Sequence, residues 1–506
     1  MRPPIQIVWF KRDLRVRDHA PLAEAAQRDL PVLPLYIAEP SLHAAPDFDS
    51  AHWTFLRRSL DDLRTALTAL GQPLVVRIGE VIPVFESLRR EWDIRTIWAH
   101  EETGNALTYA RDLAVIRYAR ETGIEFRELP SGGVVRRLRS RNGWSRRWEE
   151  RMAAPAVHAP QNLRGVAIDP GSIPTLVELG LPPDRRTLAQ PGGESAAHAT
   201  LDSFLAQRGV RYHREMSSPV TAFDSCSRLS AHLAYGTIST RQVVQRLRAT
   251  LATTVDAEHR RALRAFDARL HWRDHFMQKL EDEPSIEHQN FVRGLDGLRE
   301  DQFRPDRFDA WKAGRTGYPM IDACLRCLES TGWINFRMRA LLMSFSAYHL
   351  WLHWRETGLH LARLFVDYEP GIHWSQCQMQ SGTTGINTLR IYNPTKQVLD
   401  HDPAGVFLRR WIPELRDTPV PLLATPWISP SSNPDYPPPI VDHASAVRQA
   451  RSRIAEFRRR TAVRDEIRQV ALKHGSRKSG PARRPPARRN SKEGQRSLFA
   501  NTSEPD

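Results

Sequence analysis

The chain lacks the features that would place it in a membrane or an oxidising compartment. It has only four cysteines among 506 residues, too few for a disulfide framework. No apolar stretch reaches the length of a membrane span, and the apolar run after the first four residues has the length of a strand rather than of a signal-peptide core. The sequence therefore predicts a soluble, cytoplasmic protein without membrane contact.

A glycine-rich phosphate fingerprint is also missing from residues 1–130, which excludes a standard dinucleotide-binding domain. Short β-rich runs alternate there with amphipathic segments, a pattern that predicts a parallel sheet with crossover helices. The predicted strands are Ile5–Phe10, Val32–Ile37, Leu74–Arg77, Thr96–Ala99 and Glu125–Leu129, and the helices between them include Ala51–Leu70 and Ala106–Thr122.

Helical periodicity dominates the rest of the chain. Residues 131–195, rich in Pro, Gly and Arg, are predicted to connect the sheet domain to a helical domain at 196–474, with a short helix near Trp144–Met152. Residues 475–506 are basic and have almost nothing to bury, which predicts a disordered tail. The tail either adds non-specific nucleic-acid affinity or has no function.

Positive charge is in excess, with 73 Lys and Arg against 58 Asp and Glu and a net charge of +15. Such an excess favours a polyanionic partner, because basic side chains neutralise phosphates and release counterions. The last 60 residues carry much of this charge, so the evidence for a nucleic-acid partner from composition alone is weak.

Three separated motifs carry the strongest functional signal: residues 7–18 (IVWFKRDLRVRD), 333–339 (WINFRMR) and 367–394, which begins DYEPGIHWSQC and ends RIYNP. In this order they resemble the photolyase and cryptochrome family of blue-light flavoproteins, over nearly the whole chain to about residue 470. The resemblance implies a Rossmann-like antenna-type α/β domain followed by an all-helical FAD-binding domain. It implies FAD as cofactor, DNA as partner and room for an antenna chromophore of the folate or deazaflavin type.

The resemblance also implies the residues that hold FAD. The diphosphate would be bound where hydroxyls and an Arg precede a helix-like stretch, although Ser-x-Arg-x-Ser alone is more often a helix cap. Arg339 and Asp367 match an ion pair beside the flavin ring, although a lone Arg and Asp are more often a structural salt bridge. Cys226 replaces a Thr of the family pattern. The implied FAD residues are Tyr212, Ser227, Arg228, Leu229, Ser230, Arg339, Asp367, Glu369 and His373.

His373 falls, by ungapped counting from Asp367, opposite flavin N5, where DNA-repairing relatives carry Asn. Because His titrates near neutrality, it could give or withhold a proton at N5. The alternative is a loop His without a role.

The family's tryptophan chain for photoreduction is altered. Cys377 stands where the flavin-nearest tryptophan belongs, Trp354 matches the middle member, and the outermost is lost near Phe303. Trp374 is a candidate substitute, although an aromatic at such a place is more often packing. The sequence therefore predicts a broken electron path and slow photoreduction.

The substrate face departs from the family pattern as well. Trp272 matches the residue on which a flipped pyrimidine dimer stacks. Four other dimer contacts are replaced, by Arg269, Phe336, Ala340 and Met379. The predicted DNA contacts are Arg269, Trp272, Arg273, Met379 and Arg390.

No metal site is predicted. His271 and His275 have i, i+4 spacing but no third ligand in the motif, so they are interpreted as two His on a helix that faces DNA or the cofactor. Cys324 and Cys327 form a C-x-x-C within an apparently continuous helix, and Cys226 and Cys377 are expected in the cofactor loops. An iron–sulfur cluster held by all four cysteines, as in some relatives, is the alternative to buried thiols.

Two functions remain open from the sequence. The first is light-driven electron transfer to damaged DNA, a photolyase-type carbon–carbon lyase reaction. The second is a cryptochrome-type photoreceptor without repair activity, acting on a signalling partner. A flavoprotein that uses a diffusing reductant in the dark is a third reading, which is disfavoured because nothing resembles a nicotinamide site.

Overall fold

The computed structural model describes residues 2–386, 388–429 and 434–475. A five-stranded, all-parallel sheet with the order β3-β2-β1-β4-β5 forms the N-terminal region. Its strands are Pro4–Phe10 (β1), Val32–Ala38 (β2), Val75–Ile78 (β3), Asp93–His100 (β4) and Glu125–Leu129 (β5). The predicted parallel sheet is confirmed, with strand ends shifted by up to three residues.

The central strands are buried on both faces, as in a parallel sheet covered by helices. Ile7 and Trp9 of β1 pack with Phe85 on one face, while Val8 and Phe10 face a second core. Five helices accompany the sheet: Ala20–Ala26 (α1), Pro40–His43 (α2), Ser50–Ala69 (α3), Val81–Glu91 (α4) and Ala106–Thr122 (α5).

The connector contains helix α6, Trp144–Ala153, close to its predicted position, and the remainder of the chain is helical. The α-helices are Glu194–Ala206 (α7), Tyr212–Glu215 (α8), Ala222–Ser225 (α9), Ser230–Ala234 (α10), Thr240–Thr253 (α11), Ala257–Asp282 (α12), Pro305–Lys312 (α13), Pro319–Thr331 (α14), Phe336–Ser344 (α15), Trp354–Leu364 (α16), Pro370–Ser381 (α17), Pro394–His401 (α18), Val406–Trp411 (α19), Val420–Leu423 (α20), His443–Arg459 (α21) and Thr461–His474 (α22). Single 3₁₀ turns lie at Arg208–Arg211, Pro284–Glu287, Arg293–Leu295, Glu300–Gln302, Pro413–Leu415 and Pro426–Ile428, and a π-helical turn at Phe345–His349.

Residues 370–381 form a helix, so the expectation of a loop around His373 and Cys377 is wrong. Pro370 occupies the first helical turn, where a missing N–H costs nothing, and Gly382 ends the helix in the left-handed conformation (φ 77°). The small and polar residues that suggested a loop are mostly buried against neighbouring helices. Helices α16 and α17 approach each other closely at Gly358 of α16, where an added Cβ would lie 2.8 Å from the Trp374 ring.

The sheet domain and the helical domain meet along the loop after β1. Arg12 donates hydrogen bonds to the carbonyls of Ala234 (2.8 Å) and Tyr368 (2.7 Å). Gly236 has φ +64° and lies so close to this loop that a Cβ would fall 2.2 Å from the Arg12 carbonyl oxygen. The loop therefore fixes helix α10 and the start of α17 against the sheet.

None of the described helices is long and apolar enough to cross a membrane. The predicted disordered tail lies outside the described residues, apart from Gly475.

Candidate functional site

An ion pair between a half-buried Arg and a buried Asp forms the centre of the candidate site. Arg339 of α15 donates two hydrogen bonds to Asp367, at 2.9 and 2.8 Å, and the Asp367 side chain is 3% exposed. Burial alone would raise the pKa of Asp367, but Arg339, a hydrogen bond from Ser230 and the charge of Arg228 hold it below its ordinary value. Asp367 is therefore a fixed anion with a bidentate partner.

The turn at residues 227–230 lies beside this pair. Arg228 adopts φ +61°, and its guanidinium stacks on the Trp333 ring at 3.9 Å. Its Nη1 is buried without a hydrogen-bond partner among the residues that the structure describes, and burial lowers its pKa to about 10. Ser230 Oγ accepts a hydrogen bond from Trp333 Nε1 at 3.2 Å. The structure thus brings the two predicted halves of the cofactor site together and leaves a cation available to an anionic group.

Tyr212 is buried beside the same turn, with its ring 5.7 Å from both Phe204 and Phe266. Arg269 is hydrogen-bonded to Tyr212, and the charges of Arg228, Arg269 and Arg339 all act on the thiol of Cys226. Arg269, a predicted DNA contact, is therefore hydrogen-bonded to a residue that is predicted to contact the cofactor.

Trp272 lies half-buried on α12, with its ring 5.0 Å from His275 and 5.9 Å from Phe276. His271 contacts Ser145 Oγ at 3.2 Å and packs between Trp144 and Trp148, while His275 accepts a hydrogen bond from Arg141. Both His therefore pack against the connector, on or beside helix α6, and His275 also contacts Trp272 on the helix that is predicted to face DNA or the cofactor.

Arg273, a predicted DNA contact, and Glu369, a predicted cofactor residue, both lie at the domain interface. Arg273 donates to Asp274 at 2.7 Å and to the Leu233 carbonyl at 2.9 Å. The Glu369 carboxylate lies 3.8 Å from Arg12 and 3.7 Å from Arg273, and burial raises its pKa. Both border a polar cavity between the two domains.

Met379 and Arg390 are half-buried, and Phe336 is 41% exposed. Met379 lies on α17. Arg390 lies in the connection after this helix, and its backbone carbonyl accepts a hydrogen bond from the Ser344 hydroxyl.

His373 is held as a neutral ring. Its Nε2 donates to the Gly358 carbonyl at 2.8 Å and lies 3.5 Å from Cys377 Sγ. Burial, reinforced by the charge of Arg339, lowers the pKa of His373 to about 4. Burial therefore shifts the pKa of His373 below the nominal value of about 6.5 from which the sequence-based expectation started.

Trp354 and Trp374 form a buried pair, with ring centroids 5.9 Å apart at 69°. The Trp354 Nε1 donates to Asn290 Oδ1 at 2.7 Å, whereas Trp374 Nε1 has no partner in the described part of the chain. Trp374 therefore adjoins Trp354, the residue predicted to match the middle member of the family's tryptophan chain.

One cluster of polar side chains on the sheet domain could not be predicted from the sequence. Asp13 Oδ2 accepts hydrogen bonds from His19 Nε2 (3.0 Å) and His100 Nδ1 (2.8 Å), and these three residues form the single group of three metal-ligating side chains within the described residues. His19 Nδ1 accepts from the Leu22 N–H at 3.1 Å, so its Nε2 carries a proton and donates. The cluster is thus a hydrogen-bonded network that is fully explained without a metal.

The four cysteines are unpaired and lie in three separate elements: Cys226 after α9, Cys324 and Cys327 on α14, and Cys377 on α17. No group of three potential ligands among the described residues contains a cysteine.

A second cavity opens at the carboxyl ends of the strands, between the sheet domain and the start of α17. Aromatic rings and charged groups both line it, which suits a planar polar molecule. Its lining includes Tyr36, Glu39, Asp47, Asn105, Arg111 and Tyr368.

Comparison with known proteins agrees with this geometry. Residues 6–143 match the model of the DNA photolyase domain, and residues 266–456 match the FAD-binding domain of DNA photolyase. The deoxyribodipyrimidine photo-lyase of Escherichia coli is 31% identical over 87% of this chain and 96% of its own length. The cryptochrome DASH of Gloeobacter violaceus is 29% identical over 86% of this chain and 93% of its own length.

A crystal structure of an archaeal photolyase from Sulfolobus tokodaii, which holds two FAD molecules, superposes with a TM-score of 0.76 and 27% identity, over 89% of this chain and 99% of that one. The chain belongs to the photolyase and cryptochrome family, a family that acts on DNA, and carries its FAD-binding domain.

The residues present fit FAD. The unpartnered Arg228 Nη1 offers a buried donor to a diphosphate, and the Ser227 and Ser230 hydroxyls lie on the same turn. The Arg339–Asp367 pair offers both donors and acceptors to the edge of a polar ring.

Proposed function

We propose that this protein is an FAD-dependent, blue-light-driven flavoprotein that repairs pyrimidine dimers in DNA, a carbon–carbon lyase. The observation that carries the proposal is the convergence of half-buried Arg228, Ser230 and Arg339 around the buried Asp367 carboxylate. FAD, when bound and reduced, supplies on illumination the electron that splits the cyclobutane ring. The protein supplies position, charge and exclusion of water.

The proposal divides the cofactor-binding roles between two parts of the site. Ser227, Arg228 and Ser230 hold the diphosphate, and buried Leu229 anchors their turn. Arg339 and Asp367 orient the flavin ring, because their bidentate pair fixes both side chains. Tyr212 closes the site on the side of Arg269.

For DNA, the proposal assigns stacking to Trp272 and hydrogen-bond donation to Arg269. The family's Glu would accept from the N–H edge of a dimer, whereas an Arg offers only donors, so Arg269 leaves that edge unpaired at a cost of about 1–3 kcal/mol. Met379 and Arg390 remain proposed contacts. Because the net charge is +15, binding is expected to depend mainly on phosphates.

An antenna chromophore is proposed for the cavity at the carboxyl ends of the strands. Aromatic Tyr36 and Tyr368 and charged Glu39 and Arg111 suit a folate-type or flavin-type ring system. An absorption spectrum would identify the pigment.

The second candidate function is a blue-light photoreceptor with a signalling partner. Its supporting observation is the altered substrate face, where Arg269 is engaged by Tyr212 and Phe336 is 41% exposed. Under both functions we propose a cytoplasmic protein with an antenna domain at residues 1–130, a connector at 131–195 and an FAD domain at 196–474.

Illumination of purified protein with dimer-containing single strands tests the proposal. We expect light-dependent loss of dimers, absent in the dark and absent in Trp272→Ala, which removes the stacking surface. Trp411→Ala, at a half-buried Trp on α19, is the matched control and should retain repair. Light absorption by bound FAD without any loss of dimers would favour the photoreceptor.

A further inference from the structure

Tyr368 occupies an unusual position between the candidate flavin site and the antenna cavity. It follows Asp367 directly in the chain, and its ring lies 6.5 Å from Trp374 at an interplanar angle of 85°. The residue is 8% exposed and lines the cavity at the domain interface. Tyr368 is therefore next to the tryptophan pair on one side and to a cavity on the other.

The phenol of Tyr368 has a proton acceptor. Its hydroxyl donates to Asp47 Oδ2 at 2.7 Å, and Asp47 is 5% exposed. The same carboxylate oxygen accepts from Asn105 Nδ2 at 3.0 Å, which fixes its orientation. Burial, together with the charge of Asp47 and this hydrogen bond, holds the pKa of Tyr368 well above its ordinary value. The phenol thus stays protonated until it is oxidised, when its acidity rises sharply.

Neither tryptophan of the pair has such an acceptor. Trp374 Nε1 is buried without a hydrogen-bond partner among the described residues, and the Trp354 Nε1 donates to the amide oxygen of Asn290, which is not a base. An oxidised indole at either position therefore keeps its proton and remains a strong oxidant. Tyr368, in contrast, can release its proton to a carboxylate as it loses an electron.

We propose that Tyr368 is the terminal electron donor for photoreduction, oxidised through Trp374 with transfer of its phenolic proton to Asp47. One electron passes from the phenol to oxidised Trp374, the O–H bond breaks, and the proton moves to Asp47 Oδ2. The products are a neutral tyrosyl radical, neutral Trp374 and a protonated carboxyl group. The oxidant of Trp374 is a light-excited flavin, so the inference rests on the proposed function.

This assignment gives the electron path a different direction from the family's tryptophan chain. The path ends at Tyr368, on the wall of the antenna cavity, instead of passing through Trp354. Trp354 is fully buried and becomes a side branch.

The test uses the full chain with bound FAD, a blue-light flash, transient absorption, and electron paramagnetic resonance of samples frozen under illumination. We expect a tyrosyl signal that narrows when the protein carries ring-deuterated tyrosine and that disappears in Tyr368→Phe. In Asp47→Asn, which keeps an acceptor oxygen but lacks the base, its formation should slow about a hundredfold.

Two controls separate this account from general damage. Tyr348→Phe removes a buried hydroxyl that has no partner among the described residues, and Trp354→Phe removes the side branch; both should keep the tyrosyl signal. Persistence of the signal in Tyr368→Phe, or its formation at an unchanged rate in Asp47→Asn, would overturn the inference. If FAD-loaded wild type gives only a tryptophan radical, the assignment of Tyr368 is overturned and the proposed function stands. If the chain binds no FAD, both the assignment of Tyr368 and the proposed function are overturned.

Discussion

His373 Nε2 donates a hydrogen bond to the Gly358 carbonyl at 2.8 Å, and this bond joins α17 to α16. The bond requires a proton on Nε2, so Nδ1 carries none in the neutral ring. Protonation would place a charge among buried side chains, which explains why the pKa of His373 falls to about 4. A histidine at this position therefore acts as a fixed neutral group under ordinary conditions.

The pH dependence of the free energy of unfolding should report the neutral state of His373. The folded pKa of about 4 lies below the unfolded value of about 6.5, so the unfolded chain binds more protons in that window and stability falls as the pH drops from 6.5 to 4. His373→Asn should remove up to about 3 kcal/mol of this fall. Denaturant unfolding of both proteins at several pH values provides the measurement.

The same assignment predicts that the visible spectrum of the illuminated protein is constant from about pH 5.5 to pH 8. A spectral transition near pH 6.5 that disappears in His373→Asn would show that the ring titrates near neutrality and is not held as described.

Arg269 should govern the choice of DNA substrate. We expect weak or absent repair of cyclobutane dimers in duplex DNA, and binding that weakens steeply with salt. Arg269→Glu restores an acceptor for the dimer N–H edge and should improve discrimination of dimer over undamaged DNA by about 1–3 kcal/mol, roughly fivefold to 150-fold. Titrations of both DNAs at fixed salt measure this ratio.

The matched control is Arg264→Glu, which makes the same charge change at an exposed position of the same helix α12. It should weaken binding to both DNAs without improving discrimination. Efficient duplex repair by the wild type, made worse by Arg269→Glu, would show that Arg269 is adapted to the dimer.

The parallel sheet could be predicted because its strands are short apolar runs separated by amphipathic helices, a pattern set by local burial. Helix α17 could not be predicted from the sequence in this way. Its Gly371, Ser375 and Gln378 are residues that favour turns or exposed positions, yet all three are buried. Tertiary packing against α16 outweighs their local preference.

The candidate cofactor residues could be named from family motifs, but their surroundings could not. Tyr368 and Asp47 are 321 residues apart in sequence, and His100 and Asp13 are 87 apart. No periodicity links such pairs, so their hydrogen bonds appear only in the folded structure. The same holds for Arg269 and Tyr212. The sequence predicts Arg269 as a DNA contact alone, whereas the structure also shows it hydrogen-bonded to a predicted cofactor residue.

FAD occupancy of the purified protein, in the wild type and in Asp367→Ala, tests the central claim most directly. We expect a yellow wild type, and a large loss of FAD in the variant, because the half-buried Arg339 guanidinium loses its bidentate carboxylate partner within the candidate site. Glu414→Ala is the matched control, since it breaks another bidentate pair, with Arg326 at 2.8 and 3.0 Å, outside the candidate site. Full FAD occupancy in folded Asp367→Ala, or a colourless wild type that does not take up FAD, would contradict the account.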